Sequence, residues 1–253
     1  YEFTIAMKPA LSFRQPHFPK TWQELPAGEL VLSELNQKLA PWWPKFFGYH
    51  LAKLGPLSAQ LDSSGSTIRH QFSVAEPGYN SDILADIDDL PLQKHSVDVC
   101  VMSHVFEFSV DPHHIIREAN RVLIPNGYLV ITGYNPFSLA GLNKLVPFRR
   151  QKAPWNERFF SPMRVKDWLH LMGYEVQFDE RCIHSTLASA VSTHSVARSW
   201  QSLADRMLPS FGSIYVIVAK KRQLPLTPIK PKWKLRAKLS PVNVSTMNSS
   251  HRQ

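Results

Sequence analysis

What the 253-residue chain lacks narrows its class before any motif is considered. No stretch approaches 18 uninterrupted apolar residues, so no membrane-spanning helix is expected. The opening YEFTIAMKPALSF has neither the basic start nor the long apolar core of a secretory leader. Cysteine is scarce. Cys100 and Cys182, the only two, are far apart and offer neither a disulfide framework nor a metal-ligand spacing. That usage fits a reducing compartment, and a cytoplasmic location is expected. No G-x-G-x-x-G follows the first apolar strand, which argues against a nicotinamide enzyme. Acidic residues are absent from 220–253, where nine Lys or Arg stand. The formal charge of +9 is therefore the tail's, and residues 1–219 are formally neutral.

What is present reads as an α/β protein. A proline-rich stretch, 1–27, is expected to form an extended N-terminal arm. In GELVLSELNQKLAPWW, Leu32, Leu35 and Leu39 recur at helical spacing before Pro41 closes the helix. Tyr49, Leu51 and Leu54 suggest a short strand entering a turn at Gly55-Pro56, then a brief helix. TIRHQFSV and SDILADI read as strands around the turn EPGYN. Only about six residues separate them, whereas a parallel crossover needs a dozen or more. Either they pair as a hairpin or one is not a strand, so an irregular first half of the sheet is expected.

VDVCVM is a third strand, and DPHHIIREANRVLI is the clearest helix. Asp111 caps it, Pro112 fits its first position, and Ile115, Ile116, Ala119, Val122 and Leu123 make one apolar face. PNG breaks it, and YLVITGYN follows as a nearly all-apolar strand. Such a strand–helix–strand run suits a parallel sheet covered on both faces. SPMRVKDWLHLMG repeats a capped helix, EVQFDERCI and SIYVIVAK close the sheet, and 185–210 give little local signal.

The run ADIDDLPLQKHSVDVCVMSHVFEFSVDPHHIIREANRVLIPNGYLVITGYNP resembles the central region of class I S-adenosylmethionine-dependent methyltransferases. It has an acidic residue after the third strand (Asp86), then LPL, Val97-Asp98 opening the fourth strand, RVLIPNG, and the fifth strand. PWWPKFFGYHL and the insert NPFSLAGLNKLVPFRR make the whole chain similar to a small uncharacterised bacterial group of presumed methyltransferases. The resemblance implies a Rossmann-like sandwich with a mostly parallel sheet of the seven-strand type over 28–220. It implies a lid insert over 134–162 and S-adenosyl-L-methionine as cofactor. The basic, proline-rich tail over 221–253 has too little apolar surface to offset its ordering entropy, so it is expected to be partly disordered.

The same resemblance places the cofactor's adenine edge at Asp86 and Ile87 and its methionine end at Ser103 and His104. Gly55 matches the first glycine of the family's loop, and Glu76 is the candidate for the ribose hydroxyls. The chain departs from the family at Leu57 and Ala59, where later glycines would stand, and at Lys53, where an acid would. His104 reads either as a general base or as a pocket wall. Asp86 reads either as an acceptor for the adenine amino group or as an Asx turn. Asp98, at the far end of its strand, is read as structural, and His113, His114 and Glu118 as a solvated face rather than a metal site. Glu107 has no evident partner.

For the acceptor, Tyr134, Asn135, Trp155 and Arg158 of the insert are the candidates, with a small molecule or an RNA as substrate. The tail segment PIKPKWKLRAKL suits RNA phosphates, an anionic surface, or mere solubility. Two functions stand: a methyltransferase with an unidentified acceptor, or a catalytically inactive methyltransferase-fold protein that binds or regulates.

Overall fold

A computed structural model describes residues 17–146, 153–187 and 211–222. The first part of the arm, 147–152 of the insert, 188–210 and the basic tail lie outside the described residues. The chain divides into two compact units, Tyr1–Gln223 and Leu224–Gln253.

The first unit is built on seven strands: β1 (His50–Leu54), β2 (His70–Ala75), β3 (Ile83–Leu84), β4 (Val97–Ser103), β5 (Leu123–Tyr134), β6 (Tyr174–Cys182) and β7 (Ile214–Lys221). Their order is β3-β2-β1-β4-β5-β7-β6. β3, β2, β1, β4 and β5 pair in parallel, while β7 runs antiparallel to both β5 and β6. The carboxyl ends of β1 to β4 therefore share one edge. The order reverses between β1 and β4, where ligands of open α/β sheets bind.

Every residue of β4 is buried, which explains why VDVCVM carries no polar alternation. The helices are α1 (Gly28–Leu39), α2 (Pro56–Ala59), α3 (Val105–Phe108), α4 (Pro112–Val122), α5 (Leu139–Leu142) and α6 (Pro162–Leu171). In α4 the Asp111 carboxylate accepts from the backbone N–H of His113 and His114, satisfying two of the donors that a helix start leaves open. Ser161 caps α6 in the same way through Arg164 N–H. The buried stripe of α1 is Val31, Leu35 and Leu39, a ridge spaced by four, so Val31 replaces Leu32 in the expected face.

Three expectations are corrected. β2 and β3 are not a hairpin: they pair in parallel, Val74 with Ile83 and Ala75 with Leu84. The link between them carries no helix. A side chain substitutes for longer pairing, since Asp82 Oδ2 accepts from both Ser73 N–H and Ser73 Oγ–H at 2.7 Å. Second, β2 begins three residues late because Thr67 Oγ1 donates to Phe46 C=O and Ile68 N–H to Ser66 Oγ, which hold 66–68 as loop. Third, PNG does not separate α4 from β5. The helix passes directly into the strand at Leu123, and an irregular register between Val97 and Val99 absorbs the extra residues.

The described end of the arm is folded onto the domain. It contains a 3-10 turn, Trp22–Glu24, and buries Phe18, Trp22 and Leu25. Asp98 sits at the opposite edge from the β1–β4 carboxyl ends, where Oδ2 accepts from Tyr49 and His50 N–H at 2.8 Å.

Candidate functional site

Gly55, directly after β1, has φ +88°, a backbone state that a side chain would strain. A Cβ there would lie 3.1 Å from Val105 Cγ2 and 3.8 Å from Ile87 Cδ1. The end of β1, the start of α3 and the segment after β3 thus meet at one point. Glu76 follows the last residue of β2 directly, and Ala85 N–H donates to Ala75 C=O, drawing the ends of β2 and β3 together. Ile87 is buried and Asp86 exposed. Asp86 Oδ1 accepts from Asp88 N–H at 3.0 Å, an Asx turn that leaves Oδ2 open to a ligand.

Lys53 points elsewhere. Its Nζ donates to Leu61 C=O at 2.8 Å, and burial holds its pKa below the ordinary lysine value against the charges of Asp62 and Asp82.

At the end of β4, Ser103 is enclosed. Its Oγ shares a hydrogen bond with Thr132 Oγ1 at 2.7 Å, and its N–H donates to Ser58 Oγ. His104 is left-handed, φ +53°, and fully buried. Its N–H donates to Thr132 C=O, while neither ring nitrogen has a hydrogen-bond partner. The ring lies edge-on to Trp22, with centroids 5.3 Å apart, and 4.4 Å from that of Tyr134. Glu107 has partners after all: Oε1 accepts from Tyr134 N–H at 2.6 Å and lies 3.6 Å from His104 Nδ1.

The insert residues separate. Tyr134 belongs to the β4 end, stacked on Phe159 with centroids 4.9 Å apart. Asn135 is tied to the start of β7, its N–H donating to Ser213 C=O and its amide to Gly212 C=O. Trp155 Nε1–H donates to Ala140 C=O and closes the insert on itself. Arg158 is exposed, its guanidinium 5.4 Å from the Phe160 ring centre. Trp22, Glu107 and Tyr215 were not among the sequence candidates, yet all three line the β4 end or adjoin it.

Residues 50–131 match a methyltransferase domain. The uncharacterised protein YafS of Escherichia coli is 39% identical over 221 residues, covering 87% of this chain and 88% of YafS. The chain belongs to the YafS family. Among solved structures, a SAM-dependent methyltransferase from Archaeoglobus fulgidus has a TM-score of 0.51 at 19% identity, covering 75% of the YafS-family chain and 94% of its own. A geranyl diphosphate C-methyltransferase from Streptomyces coelicolor, solved with Mg2+, geranyl diphosphate and S-adenosyl-L-homocysteine, has a TM-score of 0.50 at 16% identity, covering 78% and 84%. The likeness is one of fold, a Rossmann-like methyltransferase sheet. Among the described residues of the YafS-family chain, no helix is long and apolar enough to cross a membrane, and no group of three or more His, Cys, Asp or Glu could hold a metal.

Three carboxylates give the β2–β3 end its electrostatics. Burial, then Asp86 and Asp88, raise the pKa of Glu76 above the usual carboxylate range. Burial, then Asp86, push Asp88 up to about 6, with Asp111 and Glu118 adding to the rise and His114 opposing it. An acid whose folded pKa exceeds its unfolded value of about 4 is at full stability below that value. It loses stability as pH rises to about 6, because the unfolded chain ionises first. Asp88→Asn is therefore expected to stabilise the protein at pH 7 and to have little effect below pH about 4. Urea unfolding at both pH values checks this; equal effects at the two would contradict it.

Proposed function

We propose that this protein is an S-adenosyl-L-methionine-dependent methyltransferase whose cofactor lies along the carboxyl ends of β1 to β4. One observation carries the reading: Gly55, Glu76, Asp86, Ile87 and His104, distant in sequence, all stand at the end of, or just past, adjacent parallel strands. The residues suit the cofactor's adenosine end. Glu76 and Asp86 offer acceptors for ribose hydroxyls and an adenine amino group, buried Ile87 offers an apolar surface for the base, and Gly55 permits close backbone approach. The loop is reduced to that one glycine, since Leu57 and Ala59, where later glycines would stand, lie within α2.

When bound, the cofactor supplies an electrophilic methyl group on its sulfonium. The protein contributes alignment, exclusion of water and proton handling. Buried His104, with both ring nitrogens unpartnered, is suited to take a proton from an acceptor, and Glu107 Oε1 lies beside its Nδ1. Ser103 supports the strand end through Thr132 and Ser58. Tyr134 is the insert residue best placed to meet an acceptor, whether a small molecule or an RNA. Asn135 and Trp155, each held by a buried hydrogen bond, serve better as the framework of the insert.

Calorimetric titration with S-adenosylhomocysteine tests the reading. Saturable binding is expected, and Asp86→Ala is expected to weaken it by about tenfold, the scale of one hydrogen bond to a charged group. No heat at millimolar ligand would refute the reading and favour a methyltransferase-fold protein that binds another partner.

A further inference from the structure

Five buried polar atoms on neighbouring side chains have no hydrogen-bond partner: His104 Nδ1 and Nε2, Glu107 Oε2, Tyr134 Oη and Tyr215 Oη. Buried polar groups in folded proteins are nearly always paired, and an unpaired one costs on the order of 1–3 kcal/mol, more if charged. A cluster of them in an otherwise well-packed domain points to a missing ligand rather than to poor packing.

Glu107 is the centre of the cluster. It is 1% exposed, and no lysine or arginine among the described residues bonds to it. Tyr215 stands opposite Gly133 in the β5–β7 ladder, and a Cβ at Gly133 would overlap Tyr215 Oη and lie 2.6 Å from Glu107 Oε1. The other buried carboxylate among the described residues, Asp98, is satisfied by two backbone donors.

Around Glu107 the walls are aromatic. Tyr134, Tyr215 and Trp22 are each 1% exposed or less, and the His104 ring lies between Trp22 and Tyr134. A buried carboxylate with an open oxygen, aromatic faces and hydroxyls able to accept is the chemistry that recognises an organic cation. Trp22 belongs to the arm, which joins α1 through left-handed Ala27. It is held by Nε1–H donating to Leu57 C=O at 3.1 Å and by a longer bond from its N–H to Gln60 Oε1. It is the one wall outside the sheet and α3, hence the wall that can open.

We propose that Glu107, with Trp22, Tyr134 and Tyr215, forms a recognition site for an organic cation, an ammonium or a sulfonium, at the end of β4. The inference deepens the methyltransferase reading and rests on it for the source of the cation. That source is either the methyl donor, through its sulfonium or α-ammonium, or an acceptor amine.

The test compares wild type with Glu107→Gln, which keeps the acceptor for Tyr134 N–H and removes the charge. Five probes are titrated by calorimetry: S-adenosylmethionine, S-adenosylhomocysteine, the desamino analogue of S-adenosylhomocysteine, benzylamine and benzyl alcohol. At least one cationic probe is expected to weaken about tenfold or more in the variant, while the desamino analogue and benzyl alcohol change less than about twofold. Loss for S-adenosylmethionine alone assigns the sulfonium. Equal loss for it and S-adenosylhomocysteine assigns the α-ammonium, and loss for benzylamine alone assigns an acceptor amine.

Unchanged binding of every cation overturns the proposal, as does equal weakening of the neutral probes, which would make Glu107 structural. Binding of S-adenosylhomocysteine, with no cationic probe depending on Glu107, defeats this inference and leaves the methyltransferase reading standing. Glu107-dependent binding of benzylamine alone, with no adenosyl ligand bound, does the reverse. Should Glu107→Gln fail to fold, wild type decides. It must prefer a cation to its neutral counterpart by about tenfold in one of three pairs: S-adenosylmethionine over S-adenosylhomocysteine, S-adenosylhomocysteine over its desamino analogue, or benzylamine over benzyl alcohol. No such preference overturns the proposal.

Discussion

Trp22→Ala is expected to destabilise the protein by about 3–5 kcal/mol, the range for deleting a large aromatic side chain from a packed interior. The indole is 1% exposed, packs edge-on to the His104 ring and donates to Leu57 C=O. Truncation removes that hydrogen bond and leaves a cavity between Leu57 of α2 and the His104 ring. Phe18 and Leu25 are buried alongside it, so the arm loses its middle anchor. Thermal unfolding followed by circular dichroism should show a fall on the order of 10 °C for a domain of this size. Trp22→Phe, which retains most of the ring, should cost clearly less. A fall of a degree or two in the alanine variant would mean that the arm packs loosely on the domain.

Gly133→Ala is the second large effect, expected at about 3 kcal/mol, the upper end of the overpacking range. The glycine sits within β5, paired on one side to Tyr215 of β7. An added methyl would overlap Tyr215 Oη and Cζ and Glu107 Oε1, all of them buried. Neither neighbour is the free end of a flexible surface chain. Tyr215 is held in a central strand, and Glu107 Oε1 is bonded to Tyr134 N–H. The diagnostic comparison is a double variant. Tyr215→Phe removes the overlapping hydroxyl, so Gly133→Ala/Tyr215→Phe should recover part of the loss, giving a coupling energy of about 1 kcal/mol in a mutant cycle. Strict additivity in urea unfolding would show that the methyl is accommodated in another direction.

Sequence reading went furthest where signals were local. Asp111 and Pro112 mark the start of α4, its apolar face is spaced over eleven residues, and the strands on either side are continuous apolar runs. Each follows from backbone chemistry within one element. The first half is harder to read because its crossovers are short. α2 spans four residues and no helix joins β2 to β3, so spacing rules for parallel units point either to a hairpin or to one segment not being a strand. The Asp82–Ser73 bonds that hold β3 in parallel leave no periodic trace in the chain.

The site divides in the same way. Asp86 and His104 are readable because they follow strands with clear apolar patterns. Glu107 is not, since its partner Tyr134 is 27 residues away and the bond is to a backbone N–H. Trp22 was hidden by its proline-rich surroundings, although Phe18, Trp22 and Leu25 are spaced as one apolar face and are all buried. Lys53 was a departure from the resembled family at a position where charge matters; its ammonium turns to Leu61 C=O, and the buried carboxylate at this edge stands on α3 instead.

The most direct measurement is a crystal structure of the protein grown with saturating S-adenosylhomocysteine. The expected result is density along the carboxyl ends of β1 to β4, with the adenine over Ile87 and its amino group toward Asp86, the ribose hydroxyls at Glu76, and the thioether toward His104. Density at another edge of the sheet, or none at millimolar ligand with Trp22 unmoved between Leu57 and His104, would contradict the account.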